Sequence, residues 1–374
     1  MTGFKSIYKK ALNLEPLTTR EGVLLYNSAP LEELMFLGSS LRHIHVPGNN
    51  VGWQIDRNVN ITNICFSQCK FCNFCRKPGD TDTYITTIEQ YEQKIEDLFR
   101  LGGNQLLLQG GMHPGLGISF YEDLFRSLKE RFPELKLHAL GPPEVAHLAH
   151  KDSLSFREVL ERLVAAGLDS LPGAGAEILA ERVRKIVSPA KATAAEWLDV
   201  MREAHIMNLP TSATMMFGHV ESIEERIEHL VSIRSLQYEK PQGNMGFISF
   251  IPWPFQDEGT VLAGRHGVRS NVSRTDYLRL IAVSRIMLTN ITNIQTSVLT
   301  TGRDTGIMAL RSGANDVGSV MIEENVVSAA GRSLIYSGEE LKSAIIEAGF
   351  TPVLRNQKYE IISDPLHSEH RDQS

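Results

Sequence analysis

Short runs of β-branched and apolar residues alternate along this chain with longer stretches in which apolar residues recur every three or four positions. The strand-like runs are Asn58–Ile64, Gln105–Gln109, Lys136–Leu140, Asp169–Leu171, Ser212–Phe217, Gly246–Ile251, Ile291–Thr296 and Asp316–Val320. Helical periodicity fills Thr87–Leu101, Phe120–Phe132, Ser155–Ala166, Ala194–Asn208 and Ile223–Leu236. Ser155 before Glu158 and Thr193 before Glu196 have the spacing of helix N-caps. Strand and helix in repeated succession predict an α/β protein with a TIM-like (β/α)8 barrel. Residues 1–50 precede the first strand and are expected to form an N-terminal helical extension. The barrel is expected over 51–363, followed by a polar tail over 364–374.

A barrel demands that functional residues follow the strands, on the C-terminal rim. The chain meets that demand. Cysteines follow the first strand, Gln109-Gly-Gly-Met-His113 the second and Gly141-Pro-Pro-Glu144 the third. Pro172-Gly-Ala-Gly-Ala-Glu177 follows the fourth, Gly218-His219 the fifth and Pro252-Trp-Pro-Phe-Gln256 the sixth.

Composition narrows the function classes. The formal net charge of −6 gives no basic footprint for nucleic acid. No apolar run approaches the length of a membrane span, and the N-terminus lacks a signal-peptide core. A cytoplasmic protein is expected. All four cysteines fall within eleven residues, which suits a metal cluster better than a disulfide framework.

Cys65, Cys69 and Cys72 have the spacing C-x3-C-x2-C, and Cys75 follows three residues later. Separated C-x2-C pairs for zinc are absent. The ferredoxin run C-x2-C-x2-C-x3-C begins at Cys69 but meets Gly79 where its last cysteine belongs. On spacing alone, two readings stand: three thiolates leaving one iron open, or four closing the cluster.

With Phe71 before the last cysteine of the first frame, the motif resembles that of the radical S-adenosylmethionine superfamily. The resemblance implies a [4Fe–4S] cluster on Cys65, Cys69 and Cys72, with Cys75 an unligated neighbour. It implies S-adenosylmethionine on the open iron, cleaved on reduction to methionine and a 5′-deoxyadenosyl radical. Phe71, Gln109, Gly110, Gly111, Gly173, Gly175 and Glu177 would then border the cofactor. Gly110-Gly-Met-His-Pro, Pro172-Gly-Ala-Gly-Ala-Glu-Ile, Thr214-Met-Met-Phe-Gly-His219, Asn293-Ile-Gln295 and Gly313-Ala-Asn-Asp316 resemble the menaquinone (futalosine-pathway) branch. Trp253-Pro-Phe-Gln256 and Glu323-Glu-Asn-Val-Val-Ser-Ala-Ala-Gly331 are most similar to the cyclic dehypoxanthine futalosine synthase family. Cys75 and the run Ser297-Val-Leu-Thr-Thr301 depart from the expected pattern.

The resemblance implies removal of the C4′ hydrogen from a nucleoside-like substrate, closure onto its benzoate ring, and loss of one electron and one proton. Candidate proton acceptors are His113, His138 and His219, all near strand ends. Trp253 and Phe255 could stack on the ring, and Arg285 or Arg303 could clamp the carboxylate. A one-electron donor of flavodoxin or ferredoxin type is the expected partner. The alternatives are an aminofutalosine synthase, a deazaflavin-forming relative, or an electron-transfer iron–sulfur protein without catalysis.

Overall fold

The computed structural model describes residues 2–323 and 336–362. The expected tail over 364–374 and most of the Glu323–Gly331 run lie outside the described residues. Three helices, α1 (Thr2–Leu12), α2 (Thr19–Ser28) and α3 (Leu31–His45), precede the first strand. α2 and α3 pack on the outer helices α10 (Ile223–Glu239) and α12 (Arg274–Met287), and α1 packs on α3. The contact is close because Gly38 of α3 has no side chain. A Cβ there would lie 2.3 Å from the Ser312 carbonyl oxygen. Arg234 of α10 fixes the junction by donating to the carbonyls of Leu17 (2.7 Å) and Met287 (2.9 Å).

The strands are β1 (Asn50–Gln54), β2 (Asp56–Asn60), β3 (Gln105–Gln109), β4 (Lys136–Ala139), β5 (Thr211–Phe217), β6 (Phe247–Pro254), β7 (Asn293–Ile294), β8 (Asp316–Ser319) and β9 (Thr351–Leu354). Parallel pairing runs β2-β3-β4 and β5-β6-β7, and Ser170 and Leu171 bridge the two sets. Gln295 bridges to Asp316, and β8 pairs with β1. The Val320 N–H donates to the Gln54 carbonyl and the Ile322 N–H to that of Asp56, which carries β8 onto β1 and β2 and closes the ring. The expected barrel is therefore present.

Several strands differ from their expected bounds. The strand before the cysteines begins and ends earlier, because Thr62 Oγ1 accepts the Ile64 N–H and bends the chain. Asp169–Leu171 shrinks to two bridges, since Asp169 Oδ2 takes the Leu137 N–H at 2.8 Å and Pro172 follows. β1 and β9 were not expected. They pair with each other across some three hundred residues, Asn50 with Thr351 and Trp53 with Leu354.

The helices behave as their sequences require. Ser155 and Thr193 cap α7 (Phe156–Ala166) and α9 (Ala194–Ile206) through complete capping boxes with Glu158 and Glu196. Apolar side chains between helices and strands form one continuous core. Side chains on the other strand face enter the lumen, which is polar. At its floor Arg355 grips Asp316 through Nε (2.5 Å) and Nη2 (2.9 Å), donates to Gln54, and lies beneath the Tyr359 ring at 3.8 Å. No described helix is long and apolar enough to cross a membrane.

Candidate functional site

The cysteine loop leaves β2 and is held from both sides. Asn63 donates to the Asp82 carbonyl and accepts from the Tyr84 N–H, and the Cys65 N–H donates to the Arg76 carbonyl at 2.9 Å. Gln68 adopts a left-handed backbone (φ 45°), which turns the chain between Cys65 and Cys69. The glycine pair after β3 packs directly on this loop. The Gly111 N–H donates to the Thr62 carbonyl at 2.7 Å, and a Cβ on Gly111 would lie 2.2 Å from the Ile64 carbonyl oxygen. Gly110 and Gly111 thus let the second rim loop seat against the cysteines.

Cys69 is buried, and Cys65, Cys72 and Cys75 are half-buried. Burial pushes the Cys69 thiol up to about 11, against the pull of Lys191 and of Ser67, whose Oγ lies 2.9 Å from its sulfur. Cys72 is pushed down to about 6, chiefly by its hydrogen bond with Cys75, and Cys75 is held far above the usual thiol range by the same contact. Among the described residues no three His, Cys, Asp or Glu side chains converge on one metal ion. A cubane does not ask for convergence, because each thiolate binds a different iron. Three soft thiolates on one loop, with a tight glycine shelf behind them, fit such a cluster.

Beside the cysteines sits a group that sequence patterning missed. Lys191 lies in the loop between α8 (Glu181–Val187) and α9, with no periodicity to mark it. Its ammonium is 2.7 Å from Glu177 Oε1 and 5.5 Å from the centre of the Phe71 ring. Burial opposes its charge, but Cys69 and Glu177 outweigh burial and raise its pKa. Burial likewise opposes the Glu177 carboxylate, and Lys191 prevails, so Glu177 stays below the ordinary carboxylate range. Glu177 has φ 42°, an uncommon conformation for a non-glycine residue, in the turn after the fourth strand position. A Cβ on Gly175 would stand 3.4 Å from the Lys191 ammonium, and one on Gly173 would strike the Ser212 carbonyl oxygen at 2.3 Å. Glu144, in the first turn of the helix Pro142–Asp152 after β4, is the third member of this cluster. Burial pushes it up to about 7, with Lys191 opposing and Glu177 adding.

The remaining candidates divide by place. Gln109 ends β3 and is half-buried, its carbonyl accepting from the Ile61 N–H. His138 on β4 faces the lumen, with Nδ1 2.7 Å from Ser170 Oγ. Burial, then Arg355, lowers it to about 4, so it is neutral at physiological pH. His113 turns back on its own loop, its Nδ1 accepting the Gly115 N–H at 2.9 Å. His219 has both ring nitrogens engaged, Nε2 with the Met216 carbonyl (3.0 Å) and Nδ1 with the Val220 N–H (2.8 Å). Trp253 is half-buried on β6, whereas Phe255 is buried edge-on against His219.

The two arginines lie away from the cysteine loop. Arg285 is buried on α12, donating to the carbonyls of Gly313 and Thr292 and to Asn315 Oδ1, each at 2.8 Å. Arg303 begins α14 (Arg303–Leu310) and pairs with Glu347 of α15 (Gly338–Glu347) on the outside. The carbonyls around Arg285 and the acid beside Arg303 meet them only once the helices are packed.

Comparison with known proteins agrees with this geometry. Residues 59–233 match the Radical SAM superfamily, and residues 244–368 match the CofH/MqnC C-terminal region. The chain is 40% identical over 92% of its length to the cyclic dehypoxanthine futalosine synthase of Streptomyces coelicolor, covering 85% of that protein. It is 41% identical over 95% of its length to the same enzyme of Halalkalibacterium halodurans, covering 94% of it. A 5-amino-6-(D-ribitylamino)uracil–L-tyrosine 4-hydroxyphenyl transferase of Methanosarcina barkeri is 37% identical, with 91% of this chain and 90% of that protein covered. The crystal structure of methylornithine synthase (PylB) shares the fold, with a TM-score of 0.70 at 19% identity over 94% of this chain and 98% of that one. The chain belongs to the CofH/MqnC family of the radical SAM superfamily.

Proposed function

We propose that this protein cyclises dehypoxanthine futalosine in the futalosine route to menaquinone, using a [4Fe–4S] cluster and S-adenosylmethionine, in the cytoplasm. The observation that carries the reading is the buried Lys191–Glu177 pair against the three-cysteine loop. A cation raised in pKa, a carboxylate and freed glycine backbone are a receptor for a zwitterion with hydroxyls beside an iron–sulfur ligand set. High identity across most of two named cyclases supports the substrate.

Cys65, Cys69 and Cys72 would hold the cluster, and Lys191 and Glu177 would meet the carboxylate and polyol parts of the cofactor. Bound there, cluster and cofactor supply a carbon radical that removes a hydrogen atom from carbon. The chain's own residues do the rest. The lumen below the rim orients the substrate so that one C–H faces the reacting centre at about 3–3.5 Å. Trp253 offers an aromatic face to the substrate ring from the lumen wall. His138 has Nδ1 occupied by Ser170, is neutral, and presents Nε2 without a hydrogen-bond partner among the described residues. We assign it the proton released on ring closure. His113 and His219 are turned into their own backbone and serve as loop fasteners.

The test is anaerobic reconstitution, reduction with dithionite, and mass spectrometry of the products from S-adenosylmethionine and dehypoxanthine futalosine. 5′-Deoxyadenosine, methionine and a product two hydrogens lighter than the substrate are expected. Cofactor consumption with no cyclised product would overturn the substrate assignment, most directly if tyrosine with the ribitylaminouracil reacts instead. A reduced cluster whose electron paramagnetic resonance spectrum ignores S-adenosylmethionine would leave an electron-transfer protein.

A further inference from the structure

The face over the cysteine loop carries cations that have no ion-pair partner among the described residues. Lys70 stands between Cys69 and Cys72, and its backbone ties two short helices to the loop. Its N–H donates to the Val187 carbonyl (2.8 Å), and its carbonyl accepts from the Leu262 N–H (2.7 Å). Val187 ends α8, and Leu262 lies in α11 (Val261–His266). Both helices finish on basic residues, Arg184 and Lys185 in one, Arg265 and His266 in the other. Arg184 turns inward to the carbonyls of Gly175 and Ala176, which leaves Lys185 exposed beside the loop.

The charge is concentrated in the sequence as well. Residues 182–195 and 260–275 contain no acid at all, in a chain whose net charge is −6. Lys70, Lys185 and Arg265 make no hydrogen bond or ion pair through their side chains among the described residues, whereas Lys94, Lys129 and Lys191 are all paired. Of the acids next to the loop, Asp82 is held by Arg76 at 2.6 Å and Asp257 by Arg269 at 3.6 Å. Glu181 accepts the Ala194 N–H. Asp80, whose Oδ2 accepts the Lys77 N–H, and Glu258, whose carbonyl accepts from Asn73, are likewise without an ion pair among the described residues, and neither is bonded to Lys70, Lys185 or Arg265.

We propose that Lys70, Lys185 and Arg265 form the docking surface of a small acidic one-electron carrier protein. The proposal rests on the reading of the cysteine loop as a reducible cluster and adds the route by which the electron arrives. Cys69 is the buried cysteine, and Lys70 is its chain neighbour, so a carrier seated on this patch stands one residue from a cluster ligand. Transient electron-transfer contacts are small and depend on complementary charge for encounter rate more than on buried area. Unpaired cations ringed around the loop supply that complementarity.

The test uses the reconstituted full-length protein, reduced flavodoxin as the acidic carrier, and dithionite as a small reductant. Lys185→Glu/Arg265→Glu is compared with Lys5→Glu/Lys9→Glu, which makes the same charge change on α1. At low ionic strength the patch variant is expected to be reduced by flavodoxin roughly tenfold or more slowly than the parent. Added salt should slow the parent and hardly affect the variant. Reduction by dithionite should be unchanged in all three proteins. The proposal is overturned if the patch variant keeps the parent rate with flavodoxin, or if the α1 variant slows equally. Binding of oxidised flavodoxin, followed by calorimetry, reads docking without any turnover. Equal binding by all three proteins overturns the proposal, whereas weakened binding by the patch variant alone supports it even if the cyclisation reading fails.

Discussion

The two ends of the barrel are both rich in buried charge, yet they are built to opposite purposes. At the floor, Arg355 is matched by Asp316 and Gln54 and covered by Tyr359. Burial alone would weaken the guanidinium, but Asp316 overrides it and raises its pKa. At the rim, Lys191 is bonded to Glu177 with Glu144 and Cys69 nearby, and the thiols near it titrate far from one another. The floor's charges are tied mainly to one another across strands, whereas the rim's Lys191–Glu177 pair lies against soft thiols that can hold a cluster.

The largest test of this contrast is at the rim. Cys69→Ala should abolish iron binding and cofactor cleavage while the far-ultraviolet circular dichroism and melting temperature stay near those of the parent apoprotein. Iron content measured after reconstitution decides it. The floor should respond the other way. Arg355→Met leaves Asp316 buried without its partner and is expected to cost about 3–5 kcal/mol in urea unfolding. A variant of unchanged stability would remove the distinction between the two ends. Lys191→Met should fall between them: at least a tenfold weaker apparent affinity for S-adenosylmethionine, with iron content retained. Unchanged cofactor affinity would detach Lys191 from the cofactor.

A smaller effect concerns the wall between the ends. His229 is buried, with Nδ1 accepting the Leu179 N–H and Nε2 donating to the Thr214 carbonyl, each at 3.0 Å. Burial lowers it to about 3. A depressed histidine adds stability above its unfolded pKa of about 6.5, and that stability is lost as pH falls toward the folded value. His138, lowered to about 4, acts in the same sense. The protein should lose stability from about pH 6.5 downward, and His229→Leu should flatten that slope while costing about 1–3 kcal/mol at neutral pH. Urea midpoints across the pH range measure both.

The barrel was legible because its signal is local. Each strand carries its own apolar run, and each helix its own cap, so alternation and punctuation show the rim without tertiary knowledge. β1 and β9 were hidden because their pairing joins residues near 50 and 351, and Gly52 and Pro352 argue against strands locally. The cysteines were legible because ligand spacing is chemistry written along the chain. Lys191 was not, since its role depends on Glu177 and Phe71 arriving beside it from other segments. Arg285 shows the reverse error of scale: an arginine's fork suits a carboxylate clamp, yet three carbonyl oxygens already claim it.

The smallest expected effect is at Cys75, and it sharpens the rim's side of the contrast. Cys75 follows Cys72 at C-x2-C spacing and is hydrogen-bonded to it, as a fourth ligand would be placed. The chain has by then turned back, however. Arg76 pairs with Ile64 in a parallel bridge, and its guanidinium donates to the carbonyls of Asn73, Phe74 and Cys75 at 3.1–3.2 Å. Arg76 thus ties the backbone of Cys75 to that of Cys65 at the loop base, and Cys65, Cys69 and Cys72 carry the C-x3-C-x2-C spacing of the open-iron frame. Three ligands suffice for a cluster with an open iron. Cys75→Ala should therefore retain parent iron content and most cofactor cleavage, in contrast to Cys69→Ala. Iron loss in Cys75→Ala as great as in Cys69→Ala would make the cluster four-coordinate by protein, and would leave Lys191 and Glu177 without a cofactor to face.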